Sequence, residues 1–399
     1  MKHPAFSVFL VLGLVLVGTM SISAAAPEPM QYAERITIHS DVMDEDRVIL
    51  ISKPAGYDTT TAGYPVLYMT DGGAHLLHTA GTVDFLNRNG RIPQVIIVGV
   101  LNTDRTRDLT PTAATITQQD GNEVEFPTSG GADRFLKFIS SELMPYVESN
   151  YRTVPFRIFA GHSFGGLLSA YTLVSQPDLF NAYIAASPTL GWDDDLILKK
   201  AKKLFTDRKE LNKTFYMTLG DEPPLQGSYD TFEKFLKKTH AKGFTWGSKQ
   251  MPAEDHGSVV LRSHYFGLKK IFEDWQIPRD AESGVITGGL EGVKAHFGQL
   301  SKKYGYAVTP PEGQINVFGY QALGNGKHAE AIEIFRYNVK LSPLSANPHD
   351  SLGEALEADG QLEAARESYA RAFEIGGRNK DPNTQVFKTN LDRVTNPGE

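Results

Sequence analysis

The chain has 399 residues, a formal net charge of −7, 41% hydrophobic and 22% charged residues, and no cysteine. Such a composition is globular and long enough for two or three domains at roughly 150 residues each, and its acidic balance argues against nucleic acid, which needs a basic footprint. The absence of cysteine excludes disulfides, thiol catalysis and Cys-ligated metals.

The N-terminus comes first. Lys2 precedes an apolar run from Phe6 to Val17, and small residues follow at Ser21, Ser23, Ala24, Ala25 and Ala26. This pattern reads as a signal peptide over residues 1–25, with Ser23 and Ala25 as the recognition pair. The run is shorter than the roughly 20 apolar residues of a membrane span. The expectation is an exported chain, periplasmic or secreted, with no stable membrane anchor.

Residues 26–278 alternate between strand and helix signals. Arg35 to His39, Val48 to Ser52, Pro65 to Met69 and Gln94 to Val100 are strand candidates. Phe135, Ile139, Leu143 and Val147 recur every four residues, as one helical stripe does. Arg157 to Ala160 reads as a strand and Leu167 to Val174 as a helix; further strands are expected at Ala182 to Ala186, Thr214 to Leu219 and Phe244 to Met251. Phe232, Phe235 and Leu236 mark a later helix, and Val259 to Trp275 the final one. Continuous Val/Ile runs alternating with helices predict an α/β fold with a doubly wound, mostly parallel sheet.

Composition shifts at Pro278. Residues 279–311 read as a linker with a short helix near Val293 to Tyr304, and Pro310-Pro311 forms a second break. In residues 312–399, Gly319, Gly326, Ala331 and Phe335 recur as Gly353, Gly360, Ala365 and Tyr369, each pair 34 residues apart. That is the tetratricopeptide period. The small residues let paired helices approach, and the aromatic fills the gap between them. A small all-α repeat domain is expected, offering a surface for a protein partner. Two units are a short array, so it should lean on the helices just upstream or on the preceding domain.

The chemistry centres on Gly161-His162-Ser163-Phe164-Gly165-Gly166. A hydroxyl is a weak nucleophile and needs a base for its proton and donors for the developing oxyanion. A strand running into Gly-x-Ser-x-Gly and out into a helix exposes the serine on a strained turn. There the Phe164 N–H serves as an oxyanion donor. Ser163 is therefore the candidate nucleophile. The order in such folds is Ser, then acid, then His. His256, in the turn Pro252 to Gly257 between the last strand and last helix, is the candidate base; His240 and His264 fall within helices. Glu222 is preferred as the acid, because Asp221 after Gly220 is placed to cap the turn; Asp255 is a third choice. Gly73 in Asp71-Gly72-Gly73 is the candidate second oxyanion donor, a plain turn being the other reading. His75 and His78 have a metal-like spacing but no acidic third ligand, so no metal is assigned. No cofactor is expected: there is no P-loop or dinucleotide fingerprint.

Residues 35 to 275 resemble the esterase family that includes enterochelin and ferri-siderophore trilactone esterases, S-formylglutathione hydrolase and bacterial mycolyltransferases. The carrying segments are Leu67 to Gly72, Asn102 to Pro111, Gly161 to Gly166, Ala186-Ser187-Pro188 and Asp255-His256-Gly257. The resemblance implies an α/β-hydrolase fold and hydrolysis of carboxylic esters, with Ser163, His256 and Glu222 at the family's nucleophile, base and acid positions. Arg105 and Arg107 are either a fork for an anionic group of a small-molecule ester or partners of Asp104 or Asp108 in a structural pair that shapes the loop. Trp192 is expected as a wall of the substrate pocket. An acyltransferase would share this triad. An interaction protein with an inert hydrolase domain is the remaining alternative, and the presence of both Ser163 and His256 weighs against it.

Overall fold

The computed structural model describes residues 30–117 and 123–396. The expected signal segment, 1–25, lies outside the described residues. β1 (Glu34–Ser40) and β2 (Glu45–Ser52) form an antiparallel hairpin. β3 (Tyr64–Met69) runs into α1 (Gly72–Arg88), and β4 (Ile96–Val100) is followed by the short α2 (Arg105–Leu109). A two-stranded hairpin, β5 (Thr115–Thr117) with β6 (Glu123–Glu125), stands outside the main sheet. The stripe expected to form one helix is α3 (Ala132–Phe138) and α4 (Met144–Asn150), joined by the π-helical turn Ile139–Leu143. β7 (Thr153–His162) then enters α5 (Phe164–Ser175). β8 (Ala182–Ala186), β9 (Thr214–Leu219) and β10 (Thr245–Gln250) alternate with α6 (Trp192–Asp207), α7 (Pro223–Lys237) and α8 (Val259–Ile271).

The eight-stranded sheet has the order β1-β2-β4-β3-β7-β8-β9-β10. Within this sheet β4, β3, β7, β8, β9 and β10 pair in parallel, and the β1-β2 and β2-β4 pairs are antiparallel. Alternation along each strand divides the core between the two faces. Val66 and Tyr68 face a cluster built with α3 to α7, while Leu67 and Met69 face one that includes Leu76 of α1 and Leu268 of α8. The continuous Val/Ile runs are thus explained by burial on both faces. This is the mostly parallel α/β-hydrolase architecture expected from the sequence.

The second cluster does not stop at α8. The stretch expected to be a linker holds a four-turn helix, α9 (Gly289–Tyr304), whose Val293, Phe297, Leu300 and Tyr304 are buried at helical spacing. Its Phe297 packs edge-on against Trp275, and its Tyr304 against Phe272 and Phe156. Glycines on either side of α9 give this segment its linker-like composition. Beyond Pro311 come α10 (Glu312–Gly324), α11 (His328–Leu341), α12 (Ala346–Ala358), α13 (Leu362–Asn379) and α14 (Thr384–Thr395). A Cβ at Gly319 would lie 2.4 Å from the Phe335 ring, and one at Gly353 2.6 Å from the Tyr369 ring. The 34-residue recurrence therefore encodes the same helix-pair contact twice. The described residues from Tyr32 onward form one compact unit. Among the described residues no helix is long and apolar enough to cross a membrane.

Candidate active site

The candidate residues gather at the carboxyl ends of the parallel strands, where open α/β sheets bind ligands. Ser163 follows β7 directly and has φ 60°, ψ −115°. A non-glycine residue held there stores about 1–3 kcal/mol of strain, typical of functional turns. The turn is tight because a Cβ at Gly161 would lie 2.1 Å from the Gly165 carbonyl oxygen. Ser163 is pinned by its own N–H, which donates to the Ala186 carbonyl at 2.9 Å. Phe164 opens α5, so its N–H has no acceptor inside the helix and sits at the positive end of the helix dipole. Gly73 lies exposed in the first turn of α1, with a similarly free N–H.

Glu222 ends the turn after β9 and is buried, whereas Asp221 is exposed. Glu222 Oε2 receives a hydrogen bond from His256 Nδ1, and Oε1 receives others from Ser187 Oγ and from the Gly220 N–H at 3.0 Å. Burial raises the Glu222 carboxyl, but the His256 and Ser187 hydrogen bonds outweigh it and the net direction is down. The carboxylate is ionised at neutral pH. Asp255 is not placed as an acid: its Oδ1 accepts the Gly257 and Ser258 N–H groups and shapes the turn into α8. The geometry thus brings Glu222, not Asp221 or Asp255, to His256. The His256 ring is about half exposed and lies 4.5 Å, centroid to centroid, from the ring of His162, the residue before Ser163.

Arg105 pairs with neither Asp104 nor Asp108. Its Nε and Nη2 bind the two carboxylate oxygens of Asp71 at 2.7 and 3.2 Å, and Nη2 also donates to the His162 carbonyl at 3.0 Å. The guanidinium ties the loop carrying Gly73 to the residue preceding Ser163, which favours a structural role over an anion fork. Asp104 instead caps α2, and Asp108 binds Arg47 and Arg107. Arg105 also lies over the Phe164 ring at 5.6 Å. Trp192 corrects another expectation. It is fully buried and shows no surface to a substrate. Its ring packs edge-on against Phe164 at 5.3 Å, and its Nε1–H donates to Thr112 Oγ1. Trp192 therefore backs Phe164 rather than lining a pocket itself.

His75 and His78 belong to a row of imidazoles. His75 contacts His162 at 5.5 Å and His78 at 5.3 Å, and His78 stacks on His264 at 5.7 Å. No group of three or more His, Asp or Glu side chains among the described residues is arranged to hold a metal. Burial pulls His162 down to about 4, with help from His256 and His75, and His78 down to about 4, with help from His75. Burial also drives His264 well below the usual imidazole range. The row is neutral at neutral pH. An unfolded imidazole titrates near 6.5. Between that value and about pH 4 the unfolded chain binds more protons than the folded one, so stability is lost as pH falls through this window. The unfolding midpoint in urea is expected to fall steadily from pH 6.5 to 4.5, and His78→Gln to flatten the slope. A flat wild-type profile would contradict this reading.

Comparison with known proteins agrees with this architecture. The family model described as "Putative esterase" matches residues 40–261, more than half of the chain. The ferri-bacillibactin esterase BesA of Bacillus subtilis is 35% identical over 188 residues, covering 43% of this chain and 63% of that protein. The siderophore triacetylfusarinine C esterase of Aspergillus fumigatus is 28% identical over 293 residues, covering 62% of this chain and 96% of that protein. An IroE-like serine hydrolase from Shewanella oneidensis superposes with a TM-score of 0.68 at 29% identity, over 77% of this chain and 98% of that one. With more than half of its length in one family model and the matching fold around Ser163, this chain belongs to that esterase family of α/β-hydrolases.

Proposed function

We propose that the protein is an exported serine esterase that hydrolyses carboxylic esters through an acyl-enzyme on Ser163. The observation that carries the reading is the His256 Nδ1–Glu222 Oε2 hydrogen bond beside the strained Ser163 turn. The Glu222 carboxylate fixes the His256 tautomer, leaving Nε2 free to take the Ser163 proton. Ser163 Oγ attacks the ester carbonyl. The Phe164 and Gly73 N–H groups hold the resulting oxyanion, and protonated His256 returns its proton to the leaving alcohol. Water then repeats the sequence on the acyl-enzyme and releases the acid. No step uses a metal or cofactor.

The names of the relatives in Bacillus subtilis and Aspergillus fumigatus direct the substrate search to ester-linked siderophores. The experiment is a screen of the purified chain against simple activated esters and cyclic and linear siderophore esters, with products identified by mass spectrometry. Turnover of siderophore esters well above that of simple esters supports the substrate assignment. Turnover of simple esters alone removes it and leaves the esterase reading. Added alcohol that captures the acyl group in place of water would make the protein an acyltransferase instead.

The helices after Pro311 are assigned a supporting and docking role, as tetratricopeptide-like repeats that, with the helix of 279–311, leave the chemistry to the preceding residues. Every candidate residue from Gly73 to His256 precedes the break. Truncation after Pro278 uncovers Phe156, Phe272 and Trp275, which now lie under Phe297 and Tyr304. Each large apolar side chain returned to water costs about 1.5–3 kcal/mol. The truncated protein is expected to melt lower and lose solubility while its soluble fraction still turns over a small activated ester. A folded, monomeric truncation inactive on that ester would show that the repeats complete the site.

A further inference from the structure

The dipeptide Ala186-Ser187 at the end of β8 touches both ends of the candidate triad. The Ala186 carbonyl accepts the Ser163 N–H, and Ser187 Oγ donates to Glu222 Oε1. Ser187 is fully buried and is anchored by its own N–H, which donates to the Thr218 carbonyl at 3.0 Å across to β9. Its φ is 41°, a left-handed value that a non-glycine residue adopts only at a cost. Glycine would be easier at this φ, so the side chain itself needs a reason. The Glu222 carboxylate, which accepts its hydroxyl proton, supplies one.

Glu222 shows what the hydroxyl does. A carboxylate on a flexible side chain can rotate its oxygens away from an imidazole. Here Oε1 is held from two sides, by Ser187 Oγ and by the Gly220 N–H, and Oε2 is left to His256. We propose that Ser187 is a positioning residue that fixes the Glu222 carboxylate so that one oxygen faces His256 at all times. The inference rests on the assignment of Glu222 as the acid. Ser187 acts only through Glu222, without contact to the reacting atoms.

The test is a double-mutant cycle on an activated ester with Ser187→Gly, Glu222→Gln and the pair. Glycine suits the backbone at φ 41°, which offsets part of the stability lost with the hydrogen bond, so the variant should still fold. A hydrogen bond to a charged group is worth enough to change kcat by about tenfold to a hundredfold. Ser187→Gly is expected to lose that factor in kcat with KM unchanged, and to lose less than about twofold when Glu222 is already Gln. Ser187→Ala, which keeps the Cβ, gives the same two readings if glycine loosens the turn. Wild-type kcat in both Ser187 variants overturns the proposal. So does an equal loss in the wild-type and Glu222→Gln backgrounds, because a purely structural role would add independently. An unimpaired Glu222→Gln protein overturns the acid assignment itself, and with it this inference.

Discussion

Replacing Ser163 by Ala is expected to lower turnover of an activated ester by about 10⁴- to 10⁶-fold while leaving the fold intact. The loss is large because the hydroxyl is the only group that forms the acyl-enzyme. Residual catalysis of about 10³-fold over water can persist from oxyanion donors and binding alone. The fold should not suffer, because the Ser163 turn is held by backbone contacts: its N–H to the Ala186 carbonyl and its carbonyl to the Leu167 N–H at 2.8 Å. Alanine keeps the strain at φ 60°, so the variant should melt where the wild type does. Ser163→Gly, also inactive, should melt at least as high, since glycine relieves strain of about 1–3 kcal/mol. Activity in a pure Ala variant above a few per cent of wild type would end the nucleophile assignment.

The second large effect is expected at Glu222. Removing the charge of an orienting acid costs up to about 10⁴-fold in triads of this kind, because the base loses its tautomer and the stabilisation of its cation. Glu222→Gln should approach that loss. Asp221→Asn should cost little, since Asp221 is exposed and contributes its backbone N–H to the Glu254 carbonyl. The comparison is made by kcat/KM for both variants on one ester. The reverse ranking would move the acid role to Asp221. Small, equal losses would leave a Ser-His dyad.

Much of this site is legible in the amino-acid sequence. Gly161 to Gly166 lies between an apolar strand and a helix, and that local context is what a nucleophile turn consists of. His256 stands out by its position between the last strand and last helix. The sequence favours Glu222 over Asp221 without closing the choice, because two adjacent carboxylates on a turn point in directions that only the partner loop resolves. The partners that the sequence hides are long-range. Arg105 finds Asp71, 34 residues away, and nothing in Asn102 to Pro111 indicates it. Ser187 and Glu222 follow different strands and share no local pattern. The imidazole row draws on α1, β7 and α8, so its members look unrelated in sequence.

The fold divides in the same way. Strands buried on both faces appear as Val/Ile runs, and the contact of Gly319 with Phe335 recurs at Gly353 and Tyr369. The short hairpin β5–β6 and the five-residue α2 have too few residues to carry a period. The length of α9 is hidden because Gly288 and Gly305 bracket it and Gly289 opens it, and glycine reads locally as a break. Its apolar stripe acquires meaning only against Trp275 and Phe272.

The most direct measurement is covalent labelling of the full chain with a fluorophosphonate, followed by peptide mass spectrometry. A fluorophosphonate phosphonylates an activated serine and loses fluoride, so it reports the nucleophile independently of any natural substrate. The expected result is stoichiometric modification of Ser163 alone, with esterase activity lost in parallel and labelling absent from Ser163→Ala. Modification of a different serine that tracks the loss of activity, or full activity with Ser163 unlabelled, would contradict the assignment on which the proposed mechanism rests.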